Sequence, residues 1–112
     1  MSKTLNFNNM KKQFLTITLA DENNTTLFVG TPTKAIMNDL MLLQTSIKSI
    51  DNNIGDEALD DLYSVCARIL SRNKANIKIT KEYLEEIFDF EDIIVFFNAY
   101  VNFVSEISNS KN

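Results

Sequence analysis

The 112-residue chain contains no histidine and no tryptophan, one cysteine, two glycines and one proline. Without histidine there is no Ser-His-Asp or Cys-His machinery, no HExxH metal helix and no Cys₂His₂ finger. Gly30 and Gly55 are too few to build a phosphate-cradling glycine-rich loop. Cys66 alone closes no intrachain disulfide and holds no structural zinc. Long apolar runs are missing too: the longest, Ile93 to Phe97, stops at Asn98, far short of the roughly 20 residues of a membrane span. Positive charge is sparse and scattered, and only Lys11 and Lys12 are adjacent. The net charge of −4 has the wrong sign for neutralising a phosphate backbone. Most familiar enzyme designs, nucleic-acid binding and membrane spanning are therefore set aside.

What is present is ordinary globular material, with 45% hydrophobic and 23% charged residues. The start, Met1 to Phe7, lacks the apolar stretch of a secretory signal, so a soluble cytoplasmic protein with a reduced thiol is expected. The expected organisation is a loose arm over residues 1–12, a single α+β domain over 13–108 and a frayed tail over 109–112. From Gln13 to Leu19 the pattern alternates, with Phe14, Thr16 and Thr18 on one side and Leu15, Ile17 and Leu19 on the other, which predicts a strand. Asp21-Glu22-Asn23-Asn24 is a turn cluster, and Thr25 to Val29 reads as the returning strand. An isolated hairpin is marginal in water, so it must lean on helices or pair with another chain.

Thr31-Pro32-Thr33 opens a helix to about Ser49, with Ile36, Leu40, Leu43, Ile47 and Ile50 on one apolar face. Residues 51–55 form a linker with a glycine break. Asp56 can cap a second helix to about Arg72, which buries Leu59, Leu62, Tyr63, Cys66, Ile69 and Leu70 and leaves Asp60, Asp61, Ser64 and Arg68 wet. Ile77 to Ile79 is a short extended stretch. Thr80 caps a brief helix to Phe88, and Asp89 starts a final helix over about 91–108. The fold class is thus a mostly helical α+β domain, a hairpin followed by three to four helices.

The candidate chemistry gives way to plainer readings. Counted from Asp51 as an EF-hand loop, Gly55 falls at position 5 instead of 6 and Leu62 stands at position 12 in place of Glu, so no calcium loop is expected. The acidic pairs Asp60-Asp61, Glu85-Glu86 and Glu91-Asp92 are sequence neighbours, which do not face each other on a helix as paired catalytic carboxylates must. Cys66 lies on an apolar helix face and reads as a small core hydrophobe. No catalytic residue, metal or cofactor is expected.

Apolar surface remains. On the last helix Ile93, Phe97, Tyr100, Val104 and Ile107 share one direction, with Ile94 and Val101 on one flank and Phe96 and Phe103 on the other. That arc exceeds the roughly 100° a surface helix needs. Either the helix is central to the fold or part of the arc meets a partner. Met37 and Met41 beside the stripe of the first helix add the adaptable side chains that binding surfaces favour.

The order of elements, with Thr31-Pro32 after the hairpin, Leu59-Asp60-Asp61-Leu62 opening an acidic helix, Ile77-Lys78-Ile79-Thr80 before Tyr83-Leu84-Glu85-Glu86-Ile87, and a hydrophobic last helix, resembles the small tail assembly chaperones of long-tailed bacteriophages of low-GC Gram-positive hosts. The resemblance covers about residues 13–107. It implies a non-enzymatic protein of the host cytoplasm, absent from the finished virion. Such a protein binds the long, helical, aggregation-prone tape measure protein and helps recruit tail tube subunits. Self-association is expected as well. The expected partner-binding residues are Met37, Met41, Ile94, Phe96, Val101 and Phe103. A competing expectation is a small acidic inhibitor or immunity protein from a mobile element. It would block a basic partner surface through Asp56, Glu57, Asp60, Asp61, Glu85 and Glu86, in a salt-sensitive manner.

Overall fold

The computed structural model describes residues 12–49 and 56–109. Two strands, β1 (Leu15–Thr18) and β2 (Thr26–Val29), precede four helices, α1 (Lys34–Ser49), α2 (Asp56–Leu70), α3 (Lys81–Ile87) and α4 (Phe90–Asn109). The class is α+β and mostly helical, as the sequence predicts. The expected linker at residues 51–55, Ile50, and nearly all of the expected arm and tail lie outside the described residues.

The alternation of the hairpin sets its two faces. Leu15 pairs with Val29 and Ile17 with Leu27 on the inner face, while Thr16 opposite Phe28 and Thr18 opposite Thr26 face outward. The turn is fixed by Asp21, whose carboxylate accepts from the Thr25 N–H (2.9 Å) and hydroxyl (2.7 Å), and Asn24 takes a left-handed conformation. The Tyr83 hydroxyl donates to the same carboxylate at 2.8 Å, tying the turn to α3. These bonds, that from the Thr25 N–H foremost, lower the Asp21 pKa to about 2. A depressed carboxylate stabilises the fold above its unfolded pKa and loses that contribution as pH falls through the folded one. The Asp21 carboxyl should therefore titrate by NMR near pH 2, and the Asp21–Tyr83 tie should hold at pH 4 and be lost below about pH 2.

The outer edge of β2 is closed by the segment that follows α2. Gly30 N–H donates to the Arg72 carbonyl (2.8 Å) and Lys74 N–H to the Phe28 carbonyl (3.0 Å), with Val29 bridged to Asn73. Helix α2 ends at Leu70, two residues before its expected limit, because Ser71 and Arg72 turn the chain toward this edge. Asn73 is buried there. Its amide donates to the carbonyls of Leu70 (2.8 Å) and Ile77 (2.7 Å), and its oxygen accepts from Ile77 N–H (2.9 Å).

Helix starts follow from their caps. Thr33 Oγ1 accepts from Ile36 N–H and Thr80 Oγ1 from Tyr83 N–H. Asp89 and Asp92 exchange reciprocal bonds at the head of α4, a capping box built from two aspartates. The core is a single cluster centred on α2, which packs against α1, α3, α4 and β2. Cys66 is fully buried in it, and burial pushes its thiol well up. A thiol reagent should leave native Cys66 untouched and label it only at the rate of global unfolding, which stopped-flow labelling across a urea series would read out.

A groove along the seam of α1 and α2

Helices α1 and α2 pack as an antiparallel pair: residues near the start of α1 adjoin the end of α2, and those further along α1 adjoin its beginning. Two hollows open on one side of their seam. The larger, about 820 Å³, is bordered by Thr33 and Ile36 of α1, by Ser64, Ala67 and Arg68 of α2, and by the chain from Ser71 to Glu82. The smaller, about 320 Å³, lies between Asp39, Leu42 and Leu43 of α1 and Asp61, Ser64 and Val65 of α2. Ser64 borders both, and the Asp39–Arg68 ion pair crosses the seam where they meet. Buried Ile36, Ala67 and Ile79 make the larger hollow mainly apolar, while in the smaller one buried Leu43 and Val65 share the lining with Asp39, Asp61 and Ser64, which make it as polar as apolar.

The rim is unlike the rest of the molecule. In a chain of net charge −4, Arg68, Arg72, Lys78 and Lys81 surround the larger hollow. Arg72 Nε donates to the Thr31 carbonyl at 3.0 Å, which holds the guanidinium against the entry to α1. Lys81 Nζ lies 3.0 Å from Asp60 and 3.4 Å from Glu85. At the other end of the groove Leu42 stands 68% exposed. An apolar residue that far out on a helix gains little for the fold.

The expected partner-binding residues fall into three groups. Phe96 (4% exposed) and Phe103 (9%) are in the core, which corrects their expected place on the surface. They flank Tyr100, with ring centroids 6.1 Å and 5.8 Å from it. That flank of the apolar arc is covered because aromatic rings packed one turn apart fill the interior of the domain. Met37, Ile94 and Val101 are half-buried and pack against the core. Met41 alone of the set is largely exposed, at 58%. At about 100° per residue, Met37 and Met41 lie on the flank of α1 opposite Asp39 and Leu42, so they are outside the groove.

Sequence reasoning missed the groove. Its residues are mixed in character, and Ser64 and Arg68 read as the wet side of the second helix. The available signal was the exposed Leu42 one position before Leu43, outside the spacing of the core stripe. The acidic side chains Glu57, Asp60, Asp61, Glu85 and Glu86 are exposed, and Lys81 bridges two of them. No helix among the described residues is long and apolar enough to cross a membrane. In comparisons with known proteins the chain matches no family model, no curated protein and no solved structure.

Proposed function

We propose that this chain is a phage tail assembly chaperone, a non-enzymatic protein that holds a helical segment of the tape measure protein in the α1–α2 groove and helps bring tail tube subunits to it. The observation that carries the proposal is the pair of hollows along one seam, each with buried apolar side chains in its lining. Ile36 and Leu43, one at the base of each, are seven residues apart on α1, about 10 Å along its axis. Two side chains at i and i+7 of a client helix have the same spacing, and such anchors are how a groove grips an amphipathic helix. The helical client supplies the apolar side chains, while the negative net charge keeps the loaded complex soluble.

Lys81, bonded to Asp60 and Glu85, neutralises part of the acidic face on which an inhibitor of a basic surface would depend. This favours the chaperone reading over the acidic inhibitor. Co-expression tests it. With this chain present, the tape measure protein should move from the insoluble to the soluble fraction and co-purify with it at moderate salt. A client equally soluble and unbound with and without the chain would overturn the assignment.

A further inference from the structure

We infer that β1 pairs edge to edge with β1 of a second copy, joining two hairpins into one four-stranded antiparallel sheet. The alternation of the ladder identifies the groups that would make the contact. Leu19 N–H bonds to the Thr25 carbonyl, so Leu19/Thr25, Ile17/Leu27 and Leu15/Val29 are the hydrogen-bonded pairs of the hairpin. Phe28 and Gly30 accordingly turn their backbone groups away from β1, where Lys74 and Arg72 meet them. By the same alternation the N–H and C=O of Thr16 and Thr18 point away from β2. Among the described residues, nothing pairs with that edge.

Exposed strand edges are normally blunted by lysine, proline, a bulge or a covering element. From Gln13 to Ala20 there is no charge and no proline. The two edges of the hairpin thus differ, one closed by the 72–74 segment and the other uncharged and, among the described residues, unpaired. The occupant follows from charge and symmetry. Two copies of net charge −4 repel in general, and an uncharged strand is where they meet at least cost. A two-fold axis at Thr16 sets Thr16 against Thr16 of the second copy and Phe14 against Thr18, with every outward N–H facing a C=O. On the outer face Phe14 (39% exposed) leans over Gly30, with the Lys74 ammonium 5.7 Å from its ring centroid, and Phe28 (47%) lies opposite Thr16, so the joined sheet carries these rings of both copies on one face. The sheet so formed has the strand number that a lone hairpin lacks. None of this depends on the identity of the client.

Light scattering coupled to gel filtration, over a concentration series of the full chain, tests the pairing. A species of twice the 12.8 kDa chain mass is expected. The double variant Thr16→Lys, Thr18→Lys should have half that mass with an unchanged circular dichroism spectrum, as should Thr16→Glu, Thr18→Glu. A mixture of the two should recover the doubled mass. Hydrogen exchange on the unaltered chain gives a second reading: the Thr16 and Thr18 amides should be protected when concentrated and exchange faster on dilution. A single-chain mass at every concentration, or a dimer that persists in the charged variants, would overturn the proposal. So would Thr16 and Thr18 amides whose exchange does not change with dilution, whether protected by the chain's own first residues or open.

Discussion

Replacing Tyr100 with Ala should lower the unfolding free energy by about 3–5 kcal/mol, as for other buried aromatics. That is a large part of the total for a domain of this size, typically about 5–15 kcal/mol. Tyr100 is fully buried, stacks on Phe96, meets Phe103 at a tilt, and donates its hydroxyl to the Gly30 carbonyl at 2.8 Å. It thereby ties the last helix to the residue where the hairpin leaves the sheet. Burial pushes the phenol up to about 12, so it stays a neutral donor at any ordinary pH. Tyr100→Phe separates the two contributions: the ring is kept, one carbonyl loses its partner, and the cost should fall to about 1–2 kcal/mol. Urea unfolding with an unchanged m-value would measure both. A near-neutral Tyr100→Ala would mean that α4 does not pack as described.

The isosteric change Asn73→Asp should be nearly as damaging, at roughly 3 kcal/mol or more near neutral pH. The Asn73 amide gives its two N–H groups to the Leu70 and Ile77 carbonyls. A carboxylate would place an acceptor, and a charge, against two acceptors in a buried position. Protonation restores one donor, so the variant should lose less relative to wild type as the solution is acidified. The variant carboxyl, raised in the folded state, contributes stability below its unfolded pKa and loses it as pH rises through the folded one. Urea midpoints of variant and wild type between pH 4 and pH 7 would show the gap widen with pH. A constant gap would mean that the loop does not hold Asn73 inside.

These two residues also mark how far the sequence can be read. Tyr100 was legible, because a wide apolar arc on a late helix has a centre, and the centre was buried. So were the helix starts at Thr33, Thr80 and Asp89, where a short polar side chain precedes an apolar period. The flanks of the arc were not legible. Periodicity gives a direction, but which flank is covered depends on neighbouring elements, and Phe96 and Phe103 proved to be interior while Ile94 and Val101 on the other flank are half-buried. Asn73 was not legible as buried, because the three residues that close the sheet are too short a run to alternate. The groove was hidden for a related reason. It is a property of two helices side by side, and the Asp39–Arg68 pair that crosses it joins residues far apart in the chain.

The proposed function requires the α1–α2 seam, rather than the methionine flank of α1, to grip the client. Leu42 and Met41 are adjacent, both exposed, and on opposite sides of that distinction. Neither contributes much to the fold, so Leu42→Glu and Met41→Glu should both leave stability near wild type. The decisive measurement is the affinity of each variant for the tape measure protein, by pull-down from co-expressing cells followed by titration with the purified client. Leu42→Glu should weaken binding at least about tenfold, the cost of placing a carboxylate in an apolar contact, while Met41→Glu binds as wild type does. Equal binding by Leu42→Glu and wild type, or loss confined to Met41→Glu, would contradict the account.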